Sequence, residues 1–315
     1  MVLDSLRTWL QQQIIGQEHL VDRLLIALLA DGHLLVEGAP GLAKTKAIKQ
    51  LATGIEGDFQ RIQFTPDLLP TDITGTDIYR PENHNFEFQP GPIFHNLILA
   101  DEINRAPAKV QSALLESMAE RQVSVGNKTY SLPELFLVMA TQNPIEQEGT
   151  YALPEAQLDR FLMLVKVGYP DAAAENAILQ LVRQEASHQE KMPNSIIKQS
   201  ELLAARKAVL EIHTAETLDD YIVQLTMATR QPETIDQQLA QWIEYGVSPR
   251  ATIALDRCAK AHAFINGKEF VSPDDIHAVI HDVFRHRLLI SFEAEAQGIS
   301  SDQVINLILD KVAIV

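Results

Sequence analysis

Three short segments carry residues whose types and spacing can handle phosphate. Gly38-Ala39-Pro40-Gly41-Leu42-Ala43-Lys44-Thr45 follows the apolar run Leu34-Leu35-Val36 and opens a helix-like stretch. In that strand–loop–helix context a glycine-rich loop turns its backbone N–H groups onto an anion. Lys44 supplies a point charge for the β- and γ-phosphates of a nucleotide, and the Thr45 hydroxyl can ligate Mg²⁺. The residue before the lysine is Ala43, where the general pattern has glycine. Its presence predicts that this position does not need a positive φ. The second segment is Leu97-Ile98-Leu99-Ala100, which runs into Asp101-Glu102. Two acids at the end of an apolar strand are costly unless they face a cation or water. Asp101 can hold Mg²⁺ directly or through water, and Glu102 can take a proton from an attacking water. The third is Asn143, at the tip of the next apolar strand. It can orient that water or touch the γ-phosphate, although a turn-forming Asn before Pro144 is the simpler account of the residue taken alone.

The elements that must position these groups can be read from periodicity. Residues from about 20 to 167 alternate helix-like and strand-like runs, the pattern of an α/β sheet with helical crossovers. Leu20, Leu24 and Leu28 recur at helical spacing until Gly32. Leu34–Val36, Phe59–Phe64, Leu97–Ala100, Leu135–Ala140 and Met163–Val167 are the strand candidates, and three of them are continuously apolar, as buried parallel strands are. Two segments read as β-hairpins outside that sheet. One joins Asp77–Tyr79 to Phe86–Phe88 through the turn-rich residues 81–85, and the other joins Val123–Val125 to Thr129–Tyr130 through Gly126-Asn127. After Tyr169-Pro170 apolar residues recur at helical spacing, with a polar, loop-prone stretch near 187–199. Ser248-Pro249 and Ser272-Pro273 read as helix starts, serine capping and proline in the first turn. The expected division is a nucleotide-binding α/β domain over residues 1–170 and a helical domain over 171–315.

Bulk properties narrow the field. The 315 residues carry a formal charge of −16, and clustered Lys and Arg of the kind that grip a phosphate backbone are missing, which argues against a nucleic-acid partner. The one cysteine, Cys258, permits no intrachain disulfide. The apolar run 24–36 is interrupted by Asp31, Gly32 and His33 and is too short to span a bilayer. With no signal-peptide pattern at the N-terminus, a cytoplasmic location is the expectation. His277 and His281 lie four apart on a helix beside Asp282. That spacing permits a metal site, but no third ligand is evident, and ordinary helix-face histidines are the better account.

The ordered set of motifs resembles the AAA+ ATPases, and its finer signature resembles the MoxR family within the clade that carries an insert in helix 2 and a hairpin before sensor 1. The resemblance rests on residues 38–45, on Asp101-Glu102-Ile103-Asn104-Arg105-Ala106-Pro107, on Ala140-Thr141-Gln142-Asn143-Pro144, and on Leu153-Pro154-Glu155-Ala156-Gln157-Leu158-Asp159-Arg160-Phe161. It runs from about Ile14 to the C-terminal helices. It implies a P-loop NTPase parallel sheet with flanking helices, followed by an all-α lid, with ATP between them. Under it, Ile15 and Gly16 lie beside the adenine and residues 38–45 hold the phosphates. Asn143 matches sensor 1, Arg160 the arginine finger that reaches a neighbouring subunit, and Arg250, in Ser248-Pro249-Arg250-Ala251, sensor 2. Read without the resemblance, each arginine can equally be a structural ion pair. Whether Arg250 acts in its own subunit or the next stays open. The resemblance also implies a ring of copies, most simply a hexamer, and chaperone-like work on client complexes, often with a partner bearing a von Willebrand factor A domain. A nucleic-acid motor, a nucleotide-dependent scaffold with little turnover and a P-loop kinase are the rival readings.

Overall fold

The computed structural model describes residues 2–82, 84–144, 149–186, 193 and 196–314. Asn83 in the first hairpin turn, and the loop-prone residues 187–192, 194 and 195, lie outside that set. The chain packs as two compact units, residues 1–160 with 165–203, and residues 161–164 with 204–315. The change to helical character at residue 171 and the division into compact units are different boundaries, because the helix that follows residue 171 packs with the first unit.

In the first unit, α1 (Val2–Gln13) and α2 (Glu18–Leu29) lead into β1 (Leu34–Gly38) and α3 (Lys44–Gly54). Then come β2 (Phe59–Gln63), the short α4 (Pro70–Thr74), β3 (Gly75–Arg80), β4 (Asn85–Pro90), β5 (Leu97–Asp101) and α5 (Ala108–Glu120). The unit continues through β6 (Gln122–Val125), β7 (Lys128–Ser131), β8 (Leu137–Gln142), α6 (Glu155–Leu158), the last three residues of β9 (Met163–Val167), whose first two fall in the second unit, and α7 (Ala172–Ala186). Five strands form the parallel sheet expected from the sequence, in the order β2-β5-β8-β1-β9. Leu34, Leu35 and Val36 and every residue of Leu97–Asp101 are buried, which is why these strands are continuously apolar rather than alternating. The β8 ladder runs to Gln142 and leaves Leu135 and Phe136 ahead of it, so the strand lies two residues later than its apolar run suggests. Of the flanking helices α2 is buried along most of its length, α3 and α5 bury one face each, and α7 has no fully buried residue.

Both hairpins stand outside the sheet as separate two-stranded pairs, β3-β4 and β6-β7. They meet through Phe88 and Tyr130, whose rings stack at 3.9 Å between centroids and 16° between planes. Phe94 packs edge-on against Phe88 at 5.5 Å. Tyr79 and Phe86, a cross-strand pair in register on β3 and β4, stay exposed.

The second unit contains α9 (Glu216–Arg230), α10 (Gln237–Trp242), α11 (Pro249–Ile265), α12 (Pro273–Phe284), α13 (Phe292–Ala296) and α14 (Ser301–Lys311); α8 (Gln199–Leu210) straddles the division. The helix starts fall where serine and proline predict. Ser248 Oγ accepts the backbone N–H of Arg250, and Ser272 donates both its N–H and its hydroxyl to Asp275. Sequence periodicity misses one feature, a short antiparallel pair of β10 (Ile243–Tyr245) and β11 (Leu289–Ile290). The paired histidines have other work: His277 Nε2 faces the Tyr221 hydroxyl at 2.8 Å and His281 Nε2 faces Asn306 Oδ1 at 2.8 Å. Cys258 is buried.

The C-terminal end of α12 grips the strand segment that belongs to this unit. Arg285 donates to the Leu164 carbonyl at 2.9 Å, and Arg287 to the carbonyls of Leu162 and Phe161. His286 Nε2 lies 3.2 Å from the Phe161 carbonyl. A carbonyl only accepts, so Nε2 carries the hydrogen, which leaves Nδ1 as a buried lone pair without a hydrogen-bond partner. Burial holds His286 well below the ordinary imidazole range, and Arg287 and Arg285 push it the same way against the opposing effects of the Phe161 carbonyl and Asp282. The unfolded chain therefore binds a proton that the folded chain refuses. Stability is complete above about pH 6.5 and falls as pH drops below it, by up to about 1.4 kcal/mol per pH unit. Urea-denaturation midpoints at pH 7.5 and 5.5 should show this loss, and His286→Gln, which keeps a donor for Phe161 without titrating, should shrink it.

Candidate active site

The strand order brings the three sequence segments together. β5, β8 and β1 are neighbours running in one direction, so the Asp101-Glu102 pair, Asn143 and the loop 39–43 all follow the C-terminal ends of adjacent strands. Open parallel sheets bind ligands at that edge.

The loop is shaped by close approaches. A Cβ on Gly38 would lie 2.7 Å from the Val167 carbonyl oxygen, so glycine lets β1 pass against β9. The chain then enters α3 through two left-handed residues, Gly41 at φ +85° and Ala43 at φ +56°. Ala43 thus corrects the expectation that this position does without a positive φ. The turn into α3 requires the left-handed conformation, and a methyl is the smallest side chain that bears its cost of about 1–2 kcal/mol. No side chain caps α3, which leaves its first backbone N–H groups to the loop, as an anion site requires. Lys44 Nζ donates back to the Gly38 carbonyl across the loop, and Thr45 sits in the first turn, half-buried.

Asp101 and Glu102 are joined by a residue not singled out beforehand, Thr141. The Thr141 hydroxyl donates to Asp101 Oδ1 at 2.6 Å and accepts the Glu102 N–H at 3.0 Å. The other Asp101 oxygen accepts from Arg61 Nε at 3.1 Å and Nη2 at 2.7 Å. Glu102 has a left-handed backbone, φ +56°, and its Oε2 accepts from Gln63 at 2.8 Å and Arg105 at 3.0 Å. Arg61 and Gln63 are two apart on β2 and so share a face, a signal present in the sequence but meaningful only once β2 is known to pair with β5. Asn143 is buried at the end of β8. The Thr45 hydroxyl and the Asp101 carboxylate are oxygen donors of the kind that suit Mg²⁺, and a metal on Asp101 would take the place of its contact with Arg61.

Beside the loop lies an apolar pocket of about 360 Å³. Its walls include Ile14, Ile15, Pro40, Leu42, Tyr169 and Leu181, all in the first unit. Gly16 borders this region at φ +75°, where a Cβ would lie 2.9 Å from Ala174. Gln17 ties the segment to the Gly168 carbonyl at 2.9 Å, and α7 is tied to α3 by the Lys46–Glu185 ion pair at 2.6 Å.

Residues 33–163 match the ATPase family associated with various cellular activities, and residues 237–308 match the AAA lid domain. The chain is 47% identical over 302 residues to the chaperone MoxR1 of Mycobacterium tuberculosis, spanning 96% of this chain and 79% of that one. It is 31% identical over 291 residues to the protein MoxR of Methylorubrum extorquens, spanning 88% and 84%. The chain belongs to the MoxR family of AAA+ ATPases. A crystal structure of a candidate ATPase from Cytophaga hutchinsonii superposes with a TM-score of 0.91 at 46% identity, covering 100% of this chain and 94% of that one. Nucleotide binding, usually with Mg²⁺, and ATP hydrolysis as the general reaction come with membership. AAA+ proteins usually oligomerise, and MoxR chaperones act on clients. Among the described residues, no helix is long and apolar enough to cross a membrane.

In this MoxR-family chain the two arginines lie on or just after helical elements, not on the strands. Arg160 follows α6 and donates to the Leu115 carbonyl of α5 at 2.9 Å, beside a polar hollow of about 440 Å³ bordered by Glu116, Glu120 and Gln157. Arg250 is exposed in the first turn of α11, in the second unit.

Two substitutions check this geometry. Ala43→Val places a β-branched residue in the left-handed region and should weaken ATP binding at least about tenfold, while Ala43→Gly should bind like the parent in the same titration. Thr141→Val leaves the buried Asp101 oxygen and the Glu102 N–H without their shared partner and should cost about 1–3 kcal/mol in urea denaturation; an unchanged midpoint would show that the bridge contributes nothing.

Proposed function

We propose that this protein is a ring-forming ATPase whose hydrolysis cycle remodels, assembles or activates client protein complexes. The observation that carries the reading is the convergence of the glycine-rich loop, the Asp101-Glu102 pair and Asn143 at one edge of three adjacent parallel strands. Backbone N–H groups of residues 41–44 and the Lys44 ammonium hold the phosphates, and Ile15 and Gly16 border the adenine in the apolar pocket. Thr45 and Asp101 would hold Mg²⁺, which would supply positive charge against the charge developing on the phosphates. Glu102 takes a proton from the water that attacks the γ-phosphorus as the bond to the ADP oxygen breaks. For this it must present an oxygen within about 2.6–3.2 Å of the water, and its hydrogen bonds to Gln63 and Arg105 set where that carboxylate starts. Asn143 orients the water. Arg160 serves the nucleotide of the next copy, and Arg250 joins from the helical lid. On this reading residues 1–170 form the nucleotide-binding domain and 171–315 the lid. The assembly is a cytoplasmic hexamer, and a protein with a von Willebrand factor A domain is a partner.

Two measurements test it. Glu102→Gln should bind ATP with parent-like affinity yet lose at least about 100-fold in turnover; intact turnover would remove Glu102 as the base. Specific ATPase activity of the parent should rise with protein concentration, and Arg160→Ala should abolish it. Concentration-independent activity with a normal Arg160→Ala variant would mean a monomeric nucleotide switch.

A further inference from the structure

Arg160 is the last residue of the first unit before the chain passes, at one peptide bond, into the second. The four residues that follow, Phe161 to Leu164, are all buried. Three of their four carbonyls are taken by consecutive residues at the end of α12, through Arg285 to Leu164, Arg287 to Leu162 and Phe161, and His286 to Phe161. The grip is itself held. Arg285 is 11% exposed and pairs with the carboxylates of Asp282 and Asp302, and Arg287 also donates to the Val283 carbonyl. Phe161 receives two donors on one carbonyl, at the residue directly after Arg160. That carbonyl lies in the Phe161–Leu162 peptide plane, so the clamp restrains the chain immediately after Arg160 rather than its own peptide, and guanidinium donors in low dielectric make that restraint stiff.

We propose that Arg285, His286 and Arg287 are positioning residues for Arg160, so that the helical unit sets where this guanidinium meets the nucleotide of a second copy of the chain. The proposal rests on the reading of Arg160 as a residue acting across subunits. None of the three is asked to touch nucleotide; they act through the main chain of residues 161–164. A misplacement of about 1 Å at a reacting centre costs roughly 100-fold in rate, so loosening the clamp should appear in turnover before it appears in binding.

The test is subunit mixing, read by steady-state ATP hydrolysis. Arg287→Gln alone should lower kcat by about 10- to 100-fold with KM for ATP within about threefold of the parent. Mixed with equal Glu102→Gln, which cannot hydrolyse but retains Arg160 and its clamp, it should regain activity, because its own intact site is served by a neighbour's well-placed arginine. Mixed with Arg160→Ala it should gain nothing, because neither partner supplies a working arginine. Arg287→Lys, which retains a cation and one donor, should fall between parent and Arg287→Gln and follow the same mixing pattern; it carries the test if Arg287→Gln unfolds. The proposal is overturned if the Arg287 variants stay inactive with Glu102→Gln while Arg160→Ala is rescued by it, since the clamp then serves folding alone. It is equally overturned if the Arg287 variants and Arg160→Ala rescue each other. If Arg160→Ala is not rescued by Glu102→Gln, the cross-subunit role of Arg160 itself fails, and the proposal falls with it.

Discussion

The parallel pairing of β8 with β1 on one side and β5 on the other is the constraint from which the site follows. Met139 lies opposite Leu34 in one ladder and opposite Leu99 in the other, so the three strands share one register and end at nearly one level. Because their apolar side chains are buried on both faces, it is close packing against the flanking layers, and not an apolar–polar alternation, that holds that register. Everything polar that the strands carry is then delivered to the same edge. Asp101, Thr141 and the entrance to the loop become neighbours although 40 residues separate Asp101 from Thr141 and more separate either from Gly38.

At that edge backbone conformation does as much as side-chain chemistry. Ala43 and Glu102 are two of the five non-glycine residues with positive φ among those described, and both stand where an apolar strand turns into the site. Strain of this kind persists only where the surroundings over-determine it. For Glu102 the determining contacts are visible: its N–H is held by Thr141 and its carboxylate by Gln63 and Arg105. For Ala43 they are the start of α3 and the return of Lys44 to Gly38.

Much of this was legible in the sequence, for physical reasons. Strands buried on both faces must be apolar throughout, so β1, β5 and β8 announce themselves, and a phosphate loop needs its glycines and lysine at fixed spacing. Serine and proline mark the starts of α11 and α12 because their local hydrogen bonding and fixed φ are independent of tertiary context. The rest depends on adjacency that no local pattern encodes. Arg61 and Gln63 matter because β2 lies beside β5, Thr141 because its hydroxyl reaches across a strand, and residues 285–287 because they meet a segment more than 120 positions earlier. The left-handed Ala43 went unread because alanine carries no signal for positive φ, and β10 and β11, of three residues and two, are too short to show a period.

The stacked rings of Phe88 and Tyr130 give the two hairpins a mechanical identity that neither has alone. One hairpin is inserted between β2 and β5, the other between α5 and β8, and an isolated two-stranded ribbon of four to six residues per strand is compliant in water. Cross-braced at one aromatic pair, they share load. Tyr79 and Phe86 stay exposed on β3 and β4, and through Phe88 and Tyr130 that ribbon meets the second one. The two inserts are thereby joined at one aromatic contact, and the chain leaving them leads into β5 and β8.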